Sequence, residues 1–171
     1  MHGAMRAATA ALVGLALGVA APGGAEAGPA FNQRFEGAWV GAGTVKRDSD
    51  PEPRRVTCTV TGEADETRLA LAGTCRAMLI FTRAIGADLA VDEAGRYRGV
   101  YVGSRVGPAQ LSGRVDGNRA VLDLAFPEGV GGGQQQMVIE NQPGSERFTL
   151  RVTDVIDGAR QEITNLVFER R

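Results

Sequence analysis

Histidine is all but missing: the one histidine in 171 residues is His2. No Ser-His or Cys-His nucleophile and no histidine-ligated zinc site can be assembled from the chain that follows it. Aromatic side chains are few, with one Trp, two Tyr and six Phe, too few to form the two girdles of a transmembrane β-barrel. The closing Phe168-Glu169-Arg170-Arg171 also lacks the terminal aromatic of such barrels. The longest apolar stretch, Ala7 to Ala21, is mostly Ala and Gly with Leu12, Val13, Leu15, Leu17 and Val19, and falls short of the roughly 20 residues of a membrane-crossing helix. Charge of one sign is missing too. The formal net charge is −1, so no long-range field draws nucleic acid or anionic lipid. Lys46 is the sole lysine; arginine carries the remaining positive charge, and it suits bidentate recognition of carboxylates.

What is present begins with a secretory pattern. Arg6 supplies a positive start, Ala7 to Ala21 an apolar centre, Pro22-Gly23-Gly24 a breaker and Ala25-Glu26-Ala27 a small-residue cleavage triplet. Residues 1–27 are therefore expected to be a signal peptide, leaving 28–171 as a single domain. No cysteine stands at the cleavage point, so no lipid anchor is expected. The Ala-, Gly- and Arg-rich composition is of a bacterial kind, for which export means a periplasmic or secreted protein in a disulfide-permitting compartment.

Beyond Gly28 the hydrophobic pattern alternates at two residues and is cut by turn residues every eight to twelve positions, the signature of hairpins. Strands are expected at Phe35 to Val45, Val56 to Thr61, Arg68 to Cys75, Asp88 to Val91, Arg96 to Gly103, Ala109 to Val115, Arg119 to Phe126, Met137 to Glu140, Arg147 to Val155 and Gln161 to Arg170. Charged or glycine-bearing connections join them, among them Arg47 to Arg54 and the Gly/Gln stretch Pro127 to Gln135. The expected fold is all-β, an antiparallel up-and-down barrel of about 8–10 strands. Arg76 to Gly86, with Met78-Leu79-Ile80-Phe81 in a row, is read as strand, with a short helix as the alternative.

Cys58 shares a pleat face with Val56 and Val60, and Cys75 with Leu69 and Leu71. Both thiols then point inward, roughly opposite each other across a hairpin, which places a disulfide between them. The spacing is not that of a redox dithiol, and no histidine remains to complete a metal site.

Gly37-Ala38-Trp39 on the first strand, with Arg170 late in the last, resembles the lipocalin or calycin pattern. That resemblance implies a barrel in which the tryptophan closes one end beneath the arginine. Gly37, Trp39, Cys58, Cys75 and the stretch Gly86 to Gly95 together are also similar to the small bacterial inhibitors of secreted metalloproteases. This second likeness spans about Glu36 to Tyr101. It implies that the segment ahead of the barrel, Gly28 to Arg34, is a free tail that enters a protease cleft and adds little to the core.

Catalytic candidates are weak. Ser49, Ser104, Ser112 and Ser145 have no histidine base, and the pairs Asp92-Glu93 and Glu63-Asp65 fall in turns, where acids favour the turn itself. Gly131-Gly132-Gly133 does not join a strand to a helix as a phosphate loop would, and Asp154 and Asp157 match no calcium-loop motif. No catalytic residue, metal site or cofactor is expected. The sequence is that of an exported, non-catalytic binding protein. Its partner is a small apolar ligand held at the barrel mouth, or an envelope or secreted protein, with metalloprotease inhibition as the alternative function.

Overall fold

The computed structural model describes residues 27–46, 50–78, 81–127 and 134–171. All but the last residue of the expected signal peptide lies outside the described residues, as do parts of the two long connections, 47–49 and 128–133.

A six-residue helix, α1 (Ala27–Asn32), and a 3-10 turn (Gln33–Phe35) precede ten strands. These are β1 (Gly37–Val45), β2 (Arg54–Ala64), β3 (Arg68–Ala77), β4 (Phe81–Val91), β5 (Arg96–Val102), β6 (Ala109–Asp116), β7 (Arg119–Ala125), β8 (Gln135–Asn141), β9 (Arg147–Ile156) and β10 (Ala159–Arg170). Each strand pairs antiparallel with its sequence neighbours, and β1 pairs with β10 to close an up-and-down barrel. Closure removes the sheet edges that an open sheet would expose. The alternation is clean in β2, where Val56, Cys58, Val60 and Gly62 are buried and Thr57, Thr59, Thr61 and Glu63 are exposed.

Turn acids set the hairpins at one end. The Asp65 carboxylate accepts the backbone N–H groups of Thr67 and Arg68 at 2.7 and 2.8 Å. Asp92 accepts those of Ala94 and Arg96 at 3.0 Å each. Bends within the strands come from inward-facing glycines. A Cβ on Gly43 would lie 1.9 Å from the carbonyl oxygen of Asn165, and one on Gly113 1.9 Å from that of Val121. The neighbouring strand therefore crosses where a side chain would stand, the close approach that coils a small barrel.

Two expectations are corrected. Arg76 to Gly86 is neither one strand nor a helix: β3 ends and β4 begins within it, with Ala77 paired to Phe81. The chain reverses between Ala77 and Phe81, and Met78 has φ 49°. Met78 and Phe81 are 69% and 58% exposed, since they sit on a rim and not in the core. Phe35, expected to open the first strand, lies instead in the 3-10 turn, and β1 starts at Gly37. The passage from this turn into β1 uses Gly37, which has φ +104° and would set a Cβ 3.0 Å from the Arg170 guanidinium.

Cys58 and Cys75 are disulfide-bonded and directly opposite in the β2/β3 register, with Cys58 buried and Cys75 half-buried.

Candidate functional site

The two barrel ends differ. At one end the strands are joined by the short connections 65–67, 92–95, 117–118 and 142–146, and the N-terminal segment packs across it. Phe31, Asn32 and Phe35 are each 0% exposed. Phe31 meets Phe35 edge-on at 4.9 Å, Phe35 meets Phe148 at 5.2 Å, Trp39 meets Phe148 at 4.8 Å, and Phe148 stacks on Phe168 at 4.5 Å. The Tyr97 hydroxyl donates to Asn32 Oδ1 at 2.6 Å, and Asn32 Nδ2 donates to the Asp65 carbonyl at 3.3 Å. Burial pushes the Tyr97 phenol up to about 12, against the smaller opposing effect of the Asn32 bond.

Arginines fasten this plug from outside. Arg34 donates to Asn118 Oδ1 and to the Asn141 carbonyl, both at 2.8 Å. The Arg170 guanidinium lies 4.3 Å from the Trp39 ring centre and donates to the carbonyls of Glu36 at 2.5 Å and Arg34 at 3.3 Å. Such a cation over an indole contributes roughly 0.5 to 2 kcal/mol. Trp39 Nε1 donates to the Phe35 carbonyl at 2.8 Å. Gly37, Trp39 and Arg170 thus form one structural unit that ties the N-terminal segment to the first and last strands. The free tail expected from Gly28 to Arg34 is not what the structure shows, because Phe31 and Asn32 complete the core at this end.

Of the acids weighed as catalytic, Asp65 and Asp92 are occupied by the turns, while Glu63 lies not in a turn but on the exposed face of β2. Hydrogen bonds, chiefly from the Thr67 backbone to Asp65 and from the Arg96 backbone to Asp92, hold both carboxyls below their ordinary range. Ser104 Oγ accepts the Val106 N–H at 3.2 Å, and Ser145 Oγ bonds the backbone of Arg147, so these serines also shape loops. Ser49 and Gly131 to Gly133 lie outside the described residues. Among the described residues, no three His, Cys, Asp or Glu side chains come together as a metal site would require.

The other end is the candidate binding site. Its connections are longer, spanning 46–53, 103–108 and 126–134, beside the short ones between Ala77 and Phe81 and at 157–158. Deep in the barrel, inward-facing Leu69, Leu89, Leu122 and Ile139 are each 0% exposed. Toward the open end, inward-facing Val45, Ile85, Tyr101, Phe126 and Ile163 pack against the core yet remain only half-buried, as does Leu150 below them, level with Ile139. This half of the interior is therefore walled by apolar side chains that still meet solvent. Exposed Met78, Phe81, Val102 and Val106 add an apolar rim.

Polar groups interrupt that wall at two places, Gln135, Asp154 and Gln161 on β8 to β10 and Arg83 on β4. Asp154 on β9 is 3% exposed; its carboxylate accepts Gln135 Nε2 at 2.8 Å and the Val155 N–H at 2.7 Å. Arg83 on β4 sits directly opposite Cys75 in register, which places it on the inward face. In the barrel order, β4 and β9 are five strands apart in either direction, so Arg83 and Asp154 belong to opposite walls. Burial raises the Tyr101 phenol, with nearby Arg83 opposing the shift. Sequence reasoning passed over Arg83 and Tyr101. The inward position of Arg83 could be found by carrying the Cys75 face across the hairpin, which requires the reversal after Ala77.

No protein family and no curated protein sequence matches this chain. Among solved structures, it is similar to the crystal structure of Rv2717c from M. tuberculosis, with a TM-score of 0.60 at 16% sequence identity. The superposition covers 84% of this chain and 98% of that one. The likeness is one of fold.

Proposed function

We propose that this is an exported, non-catalytic binding protein that takes a small, largely apolar ligand into the open half of its barrel. The observation that carries this reading is the asymmetry of the interior. One end is plugged by Phe31, Phe35 and Trp39, while the inward-facing Val45, Ile85, Tyr101, Phe126 and Ile163 of the other stay half-buried. Concave, mostly apolar walls with a few placed polar groups are the usual form of a small-molecule site. The disulfide and the secretory pattern of residues 1–27 support export. The engaged turn acids and the absence of histidine beyond His2 support binding without catalysis.

Metalloprotease inhibition is the weaker reading. It asks the segment Gly28 to Arg34 to leave the barrel for a protease, and that would strip Phe31 and Asn32 from the core.

Native mass spectrometry of the protein isolated from a bacterial periplasm tests the binding reading. A bound species of a few hundred daltons that leaves on denaturation is expected. A bare polypeptide mass that stays bare after incubation with apolar compounds would overturn it.

A further inference from the structure

We infer that the open half of the barrel selects an amphiphilic monocarboxylate, its apolar body among the inward-facing Val45, Ile85 and Ile163 and its carboxylate on Arg83 and Tyr101. This rests on the binding reading above and names the class of ligand.

Three observations place the head group. The register fixes Arg83 on the inward face, two residues from Ile85. The Arg83 guanidinium reaches toward the rim, where its one recorded bond among the described residues is a long one, 3.4 Å to the Ser104 carbonyl. Tyr101 Oη lies beside the same turn: a Cβ on Gly103 would stand 2.7 Å from it and 3.1 Å from an Ile85 methyl. Gly103 and Ser104 are consecutive, so the guanidinium and the phenol converge on one spot between β4 and β5. Among the described residues neither meets a carboxylate, and Tyr101 Oη has no hydrogen-bond partner, although other arginines of this chain, such as Arg68 and Arg147, are paired with acids.

A guanidinium offers a planar fork of donors that matches a carboxylate. A phenol held neutral by burial adds an O–H donor. Donors that meet no carboxylate at the mouth of an apolar cavity call for an acceptor-only group on an otherwise apolar ligand. The opposite wall agrees, since the buried Asp154 carboxylate repels a second anion there and leaves the Arg83 side as the place for the head.

Palmitate and 1-hexadecanol, which share one chain and differ in the head, separate this inference from the binding reading. Each is titrated as a competitor against the neutral fluorophore N-phenyl-1-naphthylamine, with wild type, Arg83→Gln and Tyr101→Phe. The expected result is that wild type prefers palmitate. Arg83→Gln should weaken palmitate by about tenfold or more while leaving hexadecanol unchanged, with a smaller selective loss in Tyr101→Phe. An unchanged melting temperature shows that the variants are folded; if Arg83→Gln unfolds, Arg83→Lys is read in its place, with a selective loss of palmitate again expected. Equal competition by both compounds, unaffected by Arg83 substitution, overturns the carboxylate inference and leaves the binding reading intact. No displacement by either compound, and no fluorophore binding, overturns both.

Discussion

Truncating Phe31 to alanine separates a plug from a free tail. Phe31 is 0% exposed and meets Phe35 edge-on at 4.9 Å, with the Arg34 guanidinium 5.6 Å from its ring centre. Replacing a fully buried Phe by Ala costs roughly 3–5 kcal/mol through lost transfer energy and the cavity left behind. The lost aromatic pair, about 0.5–1.5 kcal/mol on its own, pushes toward the upper part of that range. A segment at the end of the chain relaxes more readily than the middle of a strand, which favours the lower part. About 3 kcal/mol is therefore expected. Trp39 is the sole indole and belongs to the same cluster, so its fluorescence reports the transition directly. Urea unfolding should show the midpoint falling by between about 1 and 3 M with the slope unchanged. A loss under about 1 kcal/mol would mean that the segment is dispensable to the core. It would refute the plug and return Gly28 to Arg34 to the tail role that the inhibitor resemblance implied.

Three further outcomes follow from the packing. Tyr97 should stay protonated in the folded protein at pH 10, where a free phenol is half-ionised, and Tyr101 should ionise above the free phenol. Tyr97 is pushed up to about 12 and Tyr101 is raised by burial. Absorbance at 295 nm at pH 10 should therefore be well below that of the unfolded chain, in which both phenols are half-ionised. The stability Tyr97 contributes is full below about pH 10 and is lost as pH rises through about 12. Cys58→Ala removes a cross-link between residues 17 apart and should lower stability by about 3 kcal/mol, measured by denaturant unfolding under non-reducing conditions. Gly113→Ala sets a methyl where the Val121 carbonyl oxygen stands, 1.9 Å away, and should cost more than about 2 kcal/mol by thermal unfolding; a neutral result would remove the close-approach explanation of the inward glycines.

Most of the barrel is legible in the chain because its hairpins announce themselves locally. Turns such as Asp92 to Gly95 and Asp116-Gly117-Asn118 stand between runs of strict alternation, and the opposed positions of Cys58 and Cys75 follow from counting residues back from one turn. Trp39 and Arg170 are 131 residues apart and come together because β1 and β10 close the barrel, a contact that pattern alone does not supply but the lipocalin resemblance implied. The reversal after Ala77 is hidden, because no Gly, Pro or Asn marks it and four consecutive apolar residues read as core; Met78 and Phe81 stand exposed on the rim instead. The plug is hidden for another reason. Phe31 and Phe35 stand four apart, the spacing of one helix face, but α1 and its 3-10 extension are too short to show a period. Of the candidate site, half-burial of Leu150 or Ile163 depends on the width of the barrel, which alternation does not encode.

The central claim is a ligand-accepting interior in the open half of the barrel, and filling that interior tests it most directly. Leu150 faces inward between Ile139 and Leu166 of the neighbouring strands, half-buried where both neighbours are buried. Leu150→Trp adds bulk at that point. Wild type should bind N-phenyl-1-naphthylamine saturably at one molecule per chain, and Leu150→Trp should abolish binding with the melting temperature kept within a few degrees. Saturable binding that survives the substitution, or a wild type that binds nothing while Leu150→Trp unfolds for want of space, would contradict the account.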